Sequence, residues 1–263
     1  MLPLKYRKAL HCLRHPSLWR ALTRRVAPSI EHAAALRHLR FRTIVDIGAN
    51  RGQFALFARL LNPSAAIIVF EPLEAPRAVL TELLGADPRV RCHGVAVGAL
   101  SHDATFFVTA KDDSSSLLPV ADRQREIFGT VESSTATVPV RRLSQVVSPS
   151  DLEEPSLLKI DVQGSELDVL RGSEDLLGRF AAIYVECSYL PLYQNQALAK
   201  DVISWLEERG FVLGGVFNQH DHPGVGPVQA DFLFLRAESP ALAHGAEAQP
   251  IRAIPAAPVQ SRV

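Results

Sequence analysis

The chain predicts an α/β protein built on a doubly wound, mostly parallel sheet of Rossmann-like type that ends in an antiparallel hairpin. Three observations predict it. From residue 43, short β-branched runs alternate with amphipathic helical stretches three times in succession, and such repeats bury a parallel sheet between two helix layers. The alternation resumes after residue 155. The last two apolar runs, 211–217 and 232–235, are separated by the turn-rich stretch 218–226, which is too short for another crossover helix and suits a hairpin.

Each element has its own local cause. Thr43–Ile47 is a β-branched run leading into Gly48, a buried strand by composition. In Gln53–Leu61, Phe54, Phe57, Ala58 and Leu61 share one helical stripe, stopped by Asn62-Pro63. Ala66–Phe70 is a second strand closed by Glu71-Pro72. The helix after it carries Pro76 near its start, Val79, Leu80, Leu83 and Leu84 on one face, and Gly85 as an expected left-handed stop. Residues 90–97 read as a third strand, Ser156–Ile160 and 182–185 as later ones, and 165–177 and 197–209 as helices, the latter stopped by Gly210. Residues 105–109 and 137–140 suggest a small β addition inside an irregular insertion, the kind of segment that often covers a site.

Three regions follow: a basic helical extension at 1–42, the α/β domain at 43–236, and an Ala/Pro-rich tail at 237–263 expected to be disordered. Formal net charge is zero, so no global field favours nucleic acid. Lys5, Arg7, Lys8, Arg14, Arg20, Arg24, Arg25, Arg37, Arg40 and Arg42 nevertheless crowd the first region, with Leu10, Leu13, Leu18, Trp19 and Leu22 between them. That pattern fits a helical cap with a solvated basic face, or peripheral contact with an anionic membrane. Scattered Cys12, Cys92 and Cys187 and the absence of a signal-like or spanning segment read as cytoplasmic.

Asp46-Ile47-Gly48-Ala49-Asn50-Arg51-Gly52 joins the first strand to the first helix. Glycines there allow a ligand to approach the backbone, and free helix amides suit an anion. Glu71, at the end of the second strand, has the lone pairs to accept both ribose hydroxyl protons. The spacing Gly-x-x-x-Gly departs from the dinucleotide fingerprint. Asp46, just before the first glycine, suits an ammonium group, and together these favour S-adenosylmethionine over NAD.

The second motif, Leu158-Lys159-Ile160-Asp161-Val162-Gln163-Gly164-Ser165-Glu166, delivers Asp161 to the carboxyl edge of the sheet. Ser165 and Asp168 have the spacing of a capping box. The two motifs together resemble the FkbM methyltransferase family. Lesser matches are Val97-Gly98, Ser114-Ser115-Ser116-Leu117, Val138-Pro139-Val140-Arg141-Arg142-Leu143 and Glu186-Cys187-Ser188, with Ser144 standing where family members carry an acid. The resemblance covers residues 43–236 and implies a class I methyltransferase fold, S-adenosylmethionine as donor, and O-methylation of a saccharide, glycolipid or secondary-metabolite hydroxyl. It implies cofactor contacts at Gly48, Asn50, Gly52 and Glu71, with Ala96 and Val97 beside the adenine.

A hydroxyl acceptor needs a base near the transition state. Asp161 is the first candidate, Glu186 at the next strand end the second, and His220 in the hairpin the third, with His222 beside it. Glu186 with Asp161 also offers a pair of carboxylates for a divalent ion, but without an obvious third ligand they make a poor cage and the sequence does not support one. The competing classes are an NAD-dependent oxidoreductase, which would need a Tyr-x-x-x-Lys pair that is absent, and a non-catalytic binding protein of the same fold.

Overall fold

The computed structural model describes residues 3–15, 18–110 and 112–237. The tail expected at 237–263 lies, from residue 238 onward, outside the described residues.

The chain opens with α1 (Leu4–Arg14), α2 (Trp19–Thr23), a 3₁₀ turn at Ile30–His32 and α3 (Ala33–Leu36). It continues through β1 (Thr43–Ile47), α4 (Gln53–Leu61), β2 (Ala66–Phe70), α5 (Glu74–Leu84), β3 (Val90–His93), β4 (Ala96–Val97), β5 (His102–Thr109), α6 (Asp122–Phe128) and β6 (Glu132–Arg141). It ends with β7 (Ser156–Ile160), α7 (Glu166–Gly172), β8 (Phe180–Ser188), α8 (Ala199–Glu207), β9 (Phe211–His222) and β10 (Gly226–Arg236).

Seven strands form the main sheet in the order β3-β2-β1-β7-β8-β10-β9. All neighbours are parallel except those of β10, which runs antiparallel between β8 and β9. The order reverses between β1 and β7, and at such a switch point the carboxyl ends of the strands open a crevice. Strand side chains alternate between two cores. Val45, Ile47, Ile68 and Phe70 pack with α7 and α8 residues such as Val169 and Val202. Ile44, Ile67 and Val69 pack on the other face with α4 and α5 residues such as Phe54 and Leu80.

The N-terminal segment belongs to that second core. Cys12, Leu18, Ala21, Val26, Leu36 and Phe41 are all buried in it. Burying a side chain such as Leu36 or Phe41 contributes about 1.5–3 kcal/mol, so the segment is an integral cap on the sheet.

Several expected boundaries differ. Residues 90–97 are two strands: β3 pairs with β2, whereas β4 leaves the main sheet to pair with β6 in the three-stranded sheet β4-β6-β5. Gly85 ends α5 with φ −66°, right-handed, while Gly210 has the left-handed φ of +79°. The stretch expected to be turn at 218–226 is mostly strand, because His220 and His222 pair across to Gln229 and Gly226 and leave a tight turn between. Ser165 makes no side-chain cap bond to α7. Glu166 instead folds back to accept the Gly164 amide at 2.8 Å, which displaces the expected capping box.

Candidate functional site

A cleft of about 370 Å³ opens at the carboxyl edge of the sheet, within the size range of small-ligand sites. One wall comes from the β1–α4 loop and the end of β2, with Gly48, Ala49, Asn50, Gln53 and Glu71. An apolar slot beside it is lined by Val95, Ala96, Val97, Phe106 and Leu117, so the β4–β6 insertion does border the cleft.

Glu71 anchors the first wall. Its Oε2 accepts the Asn50 amide at 2.9 Å and its Oε1 accepts the Leu73 amide at 2.8 Å. Burial pushes its carboxyl up to about 7, against the pull of those two amides. Each oxygen keeps a further lone pair. Asn50 stands at the left-handed φ of +47°, and its buried side-chain oxygen has no hydrogen-bond partner among the described residues.

The glycines act differently from the expectation. Gly48 has φ +83°, and a Cβ there would sit 1.8 Å from the Asp161 carbonyl oxygen, so its bareness accommodates the neighbouring strand end. Gly52, at φ +89°, backs onto Leu80 and does not line the cleft. The amides of Gly48 and Ala49 already donate to the Phe70 carbonyl at 3.1 and 3.0 Å. Donors for an anion therefore lie one turn on, at Gln53 and Phe54 in the opening turn of α4, where helix amides have no partner within the helix.

Asp46 also departs from its expected place. It shares a face with Ile44, is fully buried, and its Oδ1 pairs with Lys159 Nζ at 3.2 Å instead of reaching the cleft. Burial raises the Asp46 carboxyl despite this cation. For Lys159 burial works downward, but Asp46 and Asp161 outweigh it and hold the ammonium charged. Lys159 Nζ lies 3.5 Å from Asp161 Oδ2 and 5.3 Å above the Phe54 ring.

Asp161 and Glu186 both line the cleft and meet through Gln163, whose Nε2 donates to Asp161 Oδ1 at 2.8 Å and Glu186 Oε2 at 3.0 Å. Gln229 Nε2 donates to the other Glu186 oxygen at 2.8 Å. Burial raises Glu186 well above the usual carboxylate range, helped by the charges of Asp161, Asp231 and Glu166. His220 does not line the cleft. It stands on β9, an outermost strand of the sheet, and its ring packs at 5.0 Å on Phe128. Among the described residues no group of three or more His, Cys, Asp or Glu is placed to hold a metal ion.

The methyltransferase FkbM domain matches residues 46–213, a span that contains both motifs and the cleft's first wall. The chain belongs to the FkbM methyltransferase family. Its relatives include the 2-O-methyltransferase NoeI of Sinorhizobium fredii, 29% identical over 62% of this chain and 70% of that one. The 31-O-demethyl-FK506 methyltransferase FkbM of Streptomyces tacrolimicus is 34% identical over 50% of this chain and 59% of that one. The AMB antimetabolite synthetase AmbE of Pseudomonas aeruginosa is 29% identical over 50% of this chain, but only 8% of its own length is covered. Among solved structures, Streptococcus pneumoniae Sp1610, in complex with S-adenosyl-L-methionine, superposes with a TM-score of 0.44 at 12% identity, over 80% of this chain and 72% of that one. The FkbM-family protein is thus a methyltransferase, and dependence on S-adenosylmethionine fits its sheet order and cleft.

Its sequence motifs account for only one side of that cleft. The other side is formed by Lys8, Ser29, Glu31 and His32 from the N-terminal cap and by Asn218 and Asp231 from the terminal hairpin. All six fall outside the matched span of residues 46–213. A signal exists for one of them: Asp231 is a lone acid in the apolar run 230–235. His32 lies in no recognisable motif.

Proposed function

We propose that this protein transfers a methyl group from S-adenosylmethionine to a hydroxyl of a saccharide, glycolipid or secondary metabolite. The observation that carries this reading is Glu71, which lines the open cleft at the end of β2 and faces the β1–α4 loop. When bound, S-adenosylmethionine supplies a methyl group already activated on a sulfonium. The residues of this chain then have to bind, orient and manage one proton. Glu71 would accept the ribose hydroxyls, Gln53 and Phe54 amides would meet the carboxylate, and the unpartnered Asn50 oxygen would meet the ammonium. Ala96 and Val97 border the apolar slot that suits an adenine. Asp161, at the cleft edge, would orient the acceptor. Two relatives, a 2-O-methyltransferase and a 31-O-demethyl-FK506 methyltransferase by name, support a hydroxyl acceptor.

Glu71→Ala is expected to weaken S-adenosylhomocysteine binding by about 1–3 kcal/mol in calorimetry, the cost of leaving polar groups unpaired. Because the Glu71 carboxyl sits near 7 and hydroxyl donors favour its ionised form, wild-type affinity should strengthen as pH rises through that value. Glu71→Gln should flatten the dependence. A wild-type affinity that is level across this window counts against the pose.

One surface favours a lipid-borne acceptor within this reading. Tyr6, Leu10, Leu13 and Trp19 are exposed on α1 and α2 among basic residues, with Leu13 61% and Trp19 55% accessible, while Lys8 on the same helix lines the cleft. Because the segment is also core, the test is surface substitution. Combining Leu13→Glu with Trp19→Glu should reduce sedimentation with anionic phospholipid vesicles about tenfold, as expected for an interfacial helix. Equal partitioning of variant and wild type removes the membrane role.

A further inference from the structure

The cleft wall formed by the N-terminal cap and the terminal hairpin holds a histidine beside a carboxylate. His32 Nδ1 lies 3.2 Å from Asp231 Oδ2 and 3.0 Å from the Tyr184 hydroxyl. Asp231 Oδ2 also accepts the Tyr184 hydroxyl at 2.9 Å and Asn218 Nδ2 at 2.7 Å. The imidazole is gripped on its flanks by edge-on contacts with Phe54 and Tyr184, each 5.4 Å between centroids. Asp231 Oδ2 and the Tyr184 oxygen face Nδ1, while Asn218 Nδ2, 3.2 Å from the ring, gives its two hydrogens to Asp231 at 2.7 Å and Tyr184 at 3.3 Å; among the described residues Nε2 has no such partner. A carboxylate only accepts, so Asp231 selects the tautomer that carries its proton on Nδ1 and leaves a lone pair on Nε2. Base, orienting carboxylate and a held geometry are the pattern of an activating pair.

The carboxylates at the strand ends are less suited to the task. Both oxygens of Asp161 are engaged, by Gln163 and by Lys159. Both oxygens of Glu186 accept side-chain amides, and burial with the neighbouring negative charges pushes its carboxyl well above the usual range.

We propose that His32 is the general base of the methyl transfer, oriented by Asp231, with Tyr184 and Asn218 as positioning residues. The inference rests on the reading of the protein as a hydroxyl methyltransferase. The acceptor oxygen bonds to the methyl carbon as the carbon–sulfur bond breaks, and that bond's electron pair passes to sulfur, leaving a neutral thioether. The hydroxyl proton passes to His32 Nε2, Asp231 stabilises the resulting imidazolium, and the proton then leaves to solvent. Asp231 is fit for this, since its burial is outweighed by the bonds from His32, Asn218 and Tyr184 and its carboxyl stays ionised. The charges near the ring are Asp231 on β10, Glu31 paired with Lys8 on α1 at 2.8 Å, and the Lys159–Asp46 pair, whose ammonium lies over the Phe54 ring. Tyr184, raised by burial and by Asp231, remains a neutral hydroxyl.

Two measurements on the full chain test this. The first needs no acceptor: nitrogen-15 histidine spectra of the S-adenosylhomocysteine complex should show His32 as the Nδ1–H tautomer, and Asp231→Asn should abolish that preference. A neutral His32 protonated on Nε2, or a ring still doubly protonated at about pH 9 (well above an ordinary histidine), overturns the proposal. The second uses radiolabelled S-adenosylmethionine with a panel of methyl glycosides. His32→Gln should lose about 100-fold or more in kcat, with unchanged S-adenosylhomocysteine affinity and without the wild type's rise in rate with pH. His32→Ala should be partly restored by added imidazole, and Tyr184→Phe should lower kcat less than either. Full activity in His32→Gln overturns the base assignment. A wild-type protein that binds no S-adenosylhomocysteine instead overturns the methyltransferase reading of the cleft, and the tautomer result stands apart from it.

Discussion

Lys159→Met is expected to lower the free energy of unfolding by about 3–5 kcal/mol, the usual cost of stripping one partner from a buried ion pair. Asp46 has no exposure at all and Lys159 side-chain exposure is 6%. With the cation gone, Asp46 must either stay ionised in an apolar layer or hold a proton that the unfolded chain releases. The sign of the pH dependence follows. The folded carboxyl of the variant titrates above its unfolded value, so the deficit is least below about pH 4, the ordinary aspartate value, and grows as pH rises. Urea unfolding at two pH values measures this. The companion double variant, Asp46→Leu with Lys159→Met, should recover much of the loss, because two well-packed apolar groups replace two desolvated charges. A single-variant loss under about 1 kcal/mol, within the range of an exposed pair, would mean that the pair does not hold β1 to β7.

The ion pair also shows what a one-dimensional reading resolves. Strand and helix periodicity reveals the parallel sheet and its terminal hairpin, since those follow from which side chains must be buried. The placement of Glu71, Asp161 and Glu186 on one edge follows from the same logic, because each lies at the end of a parallel strand. Asp46 escapes it because its side of the strand depends on register parity, and a one-residue shift in where β1 ends moves it from cleft to core. The Gly48 and Ala49 amides look free in the sequence because their acceptor, the Phe70 carbonyl, comes from the neighbouring strand. His32 is invisible for a further reason. It reaches the cleft only because Leu36, Phe41 and their neighbours fold the basic segment back onto the sheet, whereas the crowded charges of that segment point to its surface. His220 is the converse: a histidine in a turn-like sequence that folds as outermost strand and packs on Phe128 outside the cleft lining.

Gly48→Ala should have the largest effect on the cleft itself. The added methyl would meet the Asp161 carbonyl oxygen at 1.8 Å and the carbonyl carbon at 2.8 Å, distances that no side-chain rotation relieves because both atoms are backbone. Either β7 or the β1–α4 loop must move. The same loop carries the Asn50 amide that Glu71 holds, so movement propagates to the ribose-facing carboxylate. The backbone strain of a non-glycine residue at φ +83° adds about 1–3 kcal/mol. Gly129→Ala separates the two causes. Gly129 also has positive φ, at +65°, but a methyl added there would meet nothing within 4 Å, so it should cost about 1 kcal/mol from conformation alone. Gly48→Ala should cost at least twice that in urea unfolding and reduce S-adenosylhomocysteine affinity about 100-fold in calorimetry, the loss that ~3 kcal/mol of misplaced polar contacts produces. Equal destabilisation of the two variants with intact binding would show that β1 and β7 are not pressed together at Gly48, and the cleft's first wall would have to be drawn differently.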